Sequence, residues 1–88
     1  MTLRDWIAER LSREFAPASL SVEDESSQHA GHSGWREGGE THFRIDVVSA
    51  AFVGKSRVER HRLINAALAE AFGRGLHALA IKARAPDE

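Results

Sequence analysis

The sequence predicts an α+β fold, a two-layer sandwich in the order α-β-β-α-β whose helices cover one face of a mixed three-stranded sheet. Two long segments repeat apolar residues with the period of a helix, and three short segments have the apolar pattern of strands. The third observation is length, because 88 residues bury only one small core. We therefore treat residues 1–88 as a single domain.

The first helix should span about residues 3–15. Thr2 followed by Asp5 resembles a capping box, with Asp in place of the usual Glu. Pro17 lacks a backbone N–H and ends the helix. One helical stripe contains the apolar residues Leu3, Trp6, Ile7, Leu11 and Phe15.

A short first strand and a long loop should follow this helix. Leu20 and Val22 alternate with polar residues, as expected of a strand with one buried face. Residues 24–40 contain four glycines and have no apolar period, so we expect a loop. Loops of this length are usually either functional or disordered.

The second strand has the clearest pattern. Its apolar residues share one parity and its polar residues share the other, which predicts a sheet that is buried on one side. The two sets are Phe43, Ile45 and Val47 against His42, Arg44 and Asp46. We expect this strand to pair antiparallel with the first one across the loop.

The second helix should run from about residue 57 to 72, because Ser56 and Glu59 match a capping box. Gly73 would adopt the left-handed conformation that ends a helix. The predicted inward stripe comprises Val58, His61, Ile64, Leu68 and Phe72.

The third strand should occupy residues 76–82, followed by a polar tail over residues 83–88. His77 has the parity of Leu79 and Ile81, so it should begin on the core side of the strand. Since a helix links the second and third strands, we expect them to be parallel with a right-handed crossover.

Composition excludes several functions. The absence of cysteine rules out disulfides and any thiolate metal site supplied by this chain alone. No apolar run is long enough to span a membrane, and the N-terminus lacks the features of a signal peptide, so we expect a cytoplasmic protein. The sequence has no P-loop and no nucleophile elbow, which indicates a protein that is not an enzyme.

The charge is unevenly distributed although the net value is only −1. Residues 1–54 carry five basic and nine acidic side chains (net −4), whereas residues 55–88 carry seven and four (net +3). The overall balance differs from that of a dedicated nucleic-acid binder. A basic cluster at the start of the second helix could nevertheless contact phosphates, or simply be a solvated helix face. It consists of Lys55, Arg57, Arg60 and Arg62.

Five histidines are the candidate metal ligands. His29 and His32 lie on the loop and His77 lies at the third strand, where each is either a ligand or an ordinary polar residue. His42 should face solvent or lie under the loop, and His61 should pack in the core. Because a closed structural zinc site needs four ligands, a metal bound here would need further ligands from a partner.

Four stretches of the sequence resemble the BolA family, and the resemblance extends over about residues 3–85. The loop with His29 and the stretch Asp24-Glu25-Ser26 agree with it. The four stretches are Glu40-Thr41-His42-Phe43, Val48-Ser49-Ala50-Ala51-Phe52-Val53-Gly54-Lys55-Ser56, Arg60-His61-Arg62-Leu63 and Leu76-His77-Ala78-Leu79.

The resemblance implies a fold like the class II KH domain and a partnership with a monothiol glutaredoxin. In such heterodimers a [2Fe-2S] cluster is shared with the glutaredoxin and glutathione, and none is held tightly by the isolated BolA-like chain. His77 matches the fixed ligand of the family. His29 best matches the loop ligand, with His32 as its rival, and we expect the free chain to be a monomer or weak homodimer.

The resemblance also implies a second reading, in which the basic residues of the second helix bind DNA in a transcription regulator. This chain departs from KH domains there, because Val53-Gly54-Lys55-Ser56 has one glycine where a Gly-x-x-Gly loop has two. A third reading is a homodimeric interaction module in which the histidines have no role.

Overall fold

The computed structural model describes residues 2–25 and 42–88. Between β2 and α2 lies a short 3₁₀ turn, Ala50–Phe52. The helices and strands are α1 (Leu3–Phe15), β1 (Ser19–Asp24), β2 (His42–Val48), α2 (Arg57–Ala67), α3 (Ala69–Gly73) and β3 (Ala78–Arg84). The predicted α+β order is confirmed, with the second helix divided in two.

The sheet has the predicted mixed topology, with strand order β1-β2-β3. β1 pairs antiparallel with β2, and Val22 lies opposite Ile45. β2 pairs parallel with β3, and Ile45 lies opposite Ile81. The start of β2 therefore lies beside the start of β3, with His42 paired to Ala78.

Helix α1 begins and ends as the sequence predicts. The Thr2 hydroxyl accepts a hydrogen bond from the Asp5 N–H at 3.1 Å, which satisfies one of the unpaired donors of the first turn. Ala16 adopts a left-handed conformation with φ 42° and closes the last turn. Leu3, Ile7 and Leu11 are buried.

The core lies between the helices and the face of β2 that carries Phe43, Ile45 and Val47. Burying each such side chain contributes about 1.5–3 kcal/mol. Ser49 is also buried, and its hydroxyl donates to the Phe15 carbonyl at 2.6 Å. The end of α1 is thereby joined to the end of β2.

The second helical segment differs from its prediction in length and in phase. Leu68 interrupts it, so that α2 and α3 replace one helix over residues 57–72. Ile64 and Leu68 are buried as expected, but Val58 is 56% and Phe72 is 42% exposed. The inward position of the first turns is taken by Arg60, whose aliphatic stem can be buried while its charged group is hydrogen-bonded.

The glycine that makes the turn into β3 differs from the prediction. Gly73 ends α3 without a left-handed φ, and Gly75, at φ 108°, makes the reversal into β3. Gly54 is also left-handed, at φ 76°, in the turn before α2. Because the reversal lies two residues later than predicted, β3 is Ala78–Arg84 and not residues 76–82.

The segment 83–88 is not the free polar tail that was predicted. Its first two residues belong to β3, and Ala85 is 5% exposed. The Glu88 carboxylate bonds to Arg60 and accepts from the Ala85 N–H at 3.0 Å. The end of this segment is therefore bound to α2 by the ion pair between Glu88 and Arg60.

None of the helices in the described ranges is both long enough and apolar enough to cross a bilayer.

Candidate metal-binding site and basic groove

His77 lies immediately before β3 and projects its side chain to solvent. The prediction that it begins on the core side is wrong. Leu76 takes the buried position instead, because its N–H bonds to the Ala71 carbonyl at 3.1 Å and directs its side chain into the core. His77 is thus an accessible imidazole at the end of the sheet.

His42 lies next to His77. The two ring centroids are 5.3 Å apart with the rings tilted by 52°. The sequence left two positions open for His42, facing solvent or lying under the loop. Since His42 is only 7% exposed, the first of these is wrong. The parallel register explains this, because the starts of β2 and β3 are neighbours and the two histidines flank that edge.

Glu25 and His42 are the described residues on either side of the segment 26–41, and they lie next to each other. Asp24 pairs with Phe43, and the Glu25 N–H donates to the His42 carbonyl at 2.8 Å. The Glu25 carboxylate also accepts from Arg44 at 3.0 Å, and this bond raises the pKa of the Arg44 guanidinium. The residues that flank the segment 26–41 are therefore held together at the start of β2.

The loop histidines themselves, His29 and His32, lie outside the described residues, as does Trp35. In the described ranges no group of three or more His, Cys, Asp or Glu side chains could hold a metal ion. His42 and His77 supply two imidazoles, which are good ligands for iron, zinc or copper. The described residues therefore supply at most two ligands here, so a metal bound to His77 needs further ligands from the rest of the chain or from a partner.

Arg60 does not belong to an open basic surface. It is 9% exposed, and its Nε donates to the Lys55 carbonyl at 3.0 Å. Its Nη1 donates to the Ala83 carbonyl at 3.1 Å and to Glu88, and its Nη2 donates to the second Glu88 oxygen at 2.7 Å. The predicted phosphate-binding cluster is therefore reduced to Lys55, Arg57 and Arg62, because Arg60 is buried and already bonded to two carbonyls and to Glu88.

A groove of about 570 Å³ lies between the start of α2 and β3. His61 lines it as a half-buried residue, so the prediction that His61 packs in the core is wrong. The full lining is Lys55, Arg57, Arg60, His61, Ile81, Lys82 and Ala83. Sequence reasoning missed Lys82, although its parity, opposite to that of Ile81, indicated an outward side chain.

Three comparisons connect this geometry to known proteins. A family model described as BolA-like protein matches residues 11–88. SufE-like protein 1, chloroplastic/mitochondrial, of Arabidopsis thaliana is 51% identical over 86 residues, 93% of this chain. The chain spans only 23% of the length of that relative.

The DNA-binding transcriptional regulator BolA of Vibrio cholerae is 43% identical over 79 residues, which are 90% of this chain and 71% of that protein. Among solved structures, the BolA domain of SufE1 from Arabidopsis thaliana superposes with a TM-score of 0.89 at 48% identity. The match covers 99% of this chain and 95% of that one.

Proposed function

The chain belongs to the BolA family, and from this we propose that it is a non-enzymatic partner of a monothiol glutaredoxin. The two proteins would share a bridged [2Fe-2S] cluster in iron–sulfur assembly, trafficking or iron sensing. The observation that carries the proposal is the exposed His77 at the end of the sheet where Glu25 and His42, which flank the segment with His29 and His32, are hydrogen-bonded to each other.

The position of His77 supports its role as the fixed ligand. It follows the left-handed Gly75 and the buried Leu76, so the backbone that presents it is anchored to the core. The His42 ring lies beside it, with the two ring centroids 5.3 Å apart.

The second ligand would come from the loop, His29 first and His32 as its rival. His29 is four residues after Glu25, a reach of at most about 14 Å along an extended chain. The cluster would supply one-electron chemistry or be passed on as cargo. Histidine ligands in place of thiolates raise the potential of such clusters, as in Rieske centres.

The test is anaerobic cluster reconstitution with a monothiol glutaredoxin and glutathione, with and without this chain, followed by visible circular dichroism. We expect the chain to change the spectrum and His77→Ala to abolish the change. His61→Ala is the matched control, since it removes an imidazole on α2 and should leave the spectrum as it is. His29→Ala and His32→Ala should alter the cluster spectrum to different extents, and the variant with the larger change identifies the loop ligand.

Far-ultraviolet circular dichroism of each variant establishes that its fold is retained. An unchanged cluster spectrum with folded His77→Ala, or no complex with the glutaredoxin on gel filtration, would refute the proposal.

The second candidate function is DNA binding in transcription regulation. It is favoured by the groove beside Lys55, Arg57 and Lys82, and by the similarity to the DNA-binding transcriptional regulator BolA of Vibrio cholerae. Binding through phosphates should weaken steeply as the salt concentration rises. In a plot of the logarithm of the binding constant against the logarithm of the salt concentration, Arg57→Ala should make the slope shallower by about one. Fluorescence anisotropy with a labelled DNA duplex measures both, with Arg13→Ala on α1 as the control. Absence of salt-dependent binding would remove this candidate.

A further inference from the structure

Strand β3 leaves one of its edges open. It is the last strand of the sheet, and within residues 2–25 and 42–88 no strand pairs with its second side. The Arg84 carbonyl accepts from the Ser49 N–H at 2.9 Å, so it faces β2. Because direction alternates along a strand, the N–H and C=O groups of Leu79, Ile81 and Ala83 face the open side.

Arg60 supports this assignment and marks one end of the open edge. Its guanidinium donates to the Ala83 carbonyl at 3.1 Å, which requires that this carbonyl point away from β2. The backbone groups of Leu79 and Ile81 lie beyond that contact. A strand edge of this kind is a template for an added strand from another chain.

The groove beside the edge is basic. Lys55, Arg57 and Lys82 line it, and none of the three forms an ion pair within the part of the chain that the structure describes. Arg84 on the same strand is already paired with Asp46 at 3.4 Å. Three cations without an ion pair in the described residues therefore line one groove beside β3.

A carboxylate already occupies one end of this region. Both oxygens of Glu88 accept from the Arg60 guanidinium, in the bidentate arrangement that arginine forms with carboxylates. The same Arg60 lines the groove. An acidic side chain of the chain itself is thus bound by one of the residues that line the groove.

We propose that the open edge of β3 binds an extended acidic peptide segment of a partner protein, which adds as a fourth strand and places its carboxylates against Lys55, Arg57 and Lys82. The backbone groups of Leu79 and Ile81 favour a peptide over a nucleic acid, since a phosphodiester backbone has no N–H groups to complete a strand ladder. The proposal does not depend on cluster binding, because His77 lies outside the edge segment.

The probe is a fluorescein-labelled nine-residue peptide of alternating Glu and Val, titrated with the full chain and followed by fluorescence anisotropy. The main control is the same peptide N-methylated at every second residue, prepared in both registers. One of these should bind at least about tenfold more weakly, since it loses several backbone hydrogen bonds. Binding should also slow the hydrogen exchange of the Leu79 and Ile81 amides.

Two charge reversals, Arg57→Glu and Lys82→Glu, should each weaken peptide binding by about tenfold, whereas Arg13→Glu on α1 should leave it unchanged. His77→Ala should bind the peptide normally, which separates this site from the proposed cluster site. Equal binding of both N-methylated peptides, or no protection of the two amides, would overturn the proposal. So would a DNA duplex that binds these residues while the peptide does not.

Discussion

The guanidinium of Arg60 joins three parts of the chain. It donates to the turn before α2 through the Lys55 carbonyl, to β3 through the Ala83 carbonyl, and to Glu88. A buried charge is tolerated where it is hydrogen-bonded, and here each of the three guanidinium nitrogens donates to at least one acceptor. The contact also acts on Glu88, because the bond from Arg60, followed by that from the Ala85 N–H, lowers its pKa to about 2.

This pKa makes stability depend on pH at the acid end. The folded pKa lies below the ordinary value, so the contribution of Glu88 is complete above about pH 4.5 and is lost as the pH falls toward 2. Glu88→Gln should therefore lower the free energy of unfolding at pH 6, and the difference from the parent should shrink by pH 2.5. Urea denaturation at the two pH values measures this, and a difference independent of pH would contradict it.

At the scale of elements, α2 is fixed at its start by a complete capping box. The Ser56 hydroxyl accepts from the Glu59 N–H at 3.1 Å, and the Glu59 carboxylate accepts from the Ser56 N–H at 2.9 Å. These bonds lower the pKa of Glu59. Because α2 carries Arg57 and presents Arg60 to β3, its starting point sets the position of the whole basic groove.

Ser56→Ala should lower the free energy of unfolding by about 1 kcal/mol, since one N–H of the first turn loses its acceptor. Ser56→Asp should restore most of this loss, because Asp can accept the same bond. Ser12→Ala, at an exposed position within α1, is the control and should change stability by less than about 0.5 kcal/mol. Thermal or urea unfolding of the three variants provides the comparison, and equal stability of Ser56→Ala and the parent would contradict it.

At the scale of the whole molecule, one core holds the two candidate sites at different places along β3. The start of β3 lies beside His42 and His77, while Ile81 and Ala83, in its middle and near its end, line the groove. The same strand is held by β2 along its full length. A change in the core should therefore affect both sites through loss of the fold, and a change at either site should leave the other intact.

The phase of α2 against this core can be tested directly. Ile64→Ala should cost about 2–5 kcal/mol of the free energy of unfolding, because Ile64 is fully buried. Val58→Ala should cost less than about 1 kcal/mol, because Val58 is 56% exposed. Similar losses for the two variants in urea denaturation would contradict the observed phase.

The sequence alone determined the order of the elements, the pairing of the strands and the family resemblance. These features depend on local pattern. Thr2 and Ser56 mark helix starts because a cap is formed by residues three apart, and Phe43, Ile45 and Val47 mark a buried face because side chains alternate along any strand.

Only the tertiary structure decided the inward face of α2 and which side chains meet in space. Periodicity predicted that Val58 would be buried and Arg60 exposed. Arg60 is buried instead, because it donates to the Ala83 carbonyl and the Glu88 carboxylate, 23 and 28 residues away. The apposition of His42 and His77 likewise comes from the parallel register of β2 and β3. Contacts between residues distant in sequence leave no periodic signal, so the positions of Arg60, His42 and His77 became known only from the folded chain.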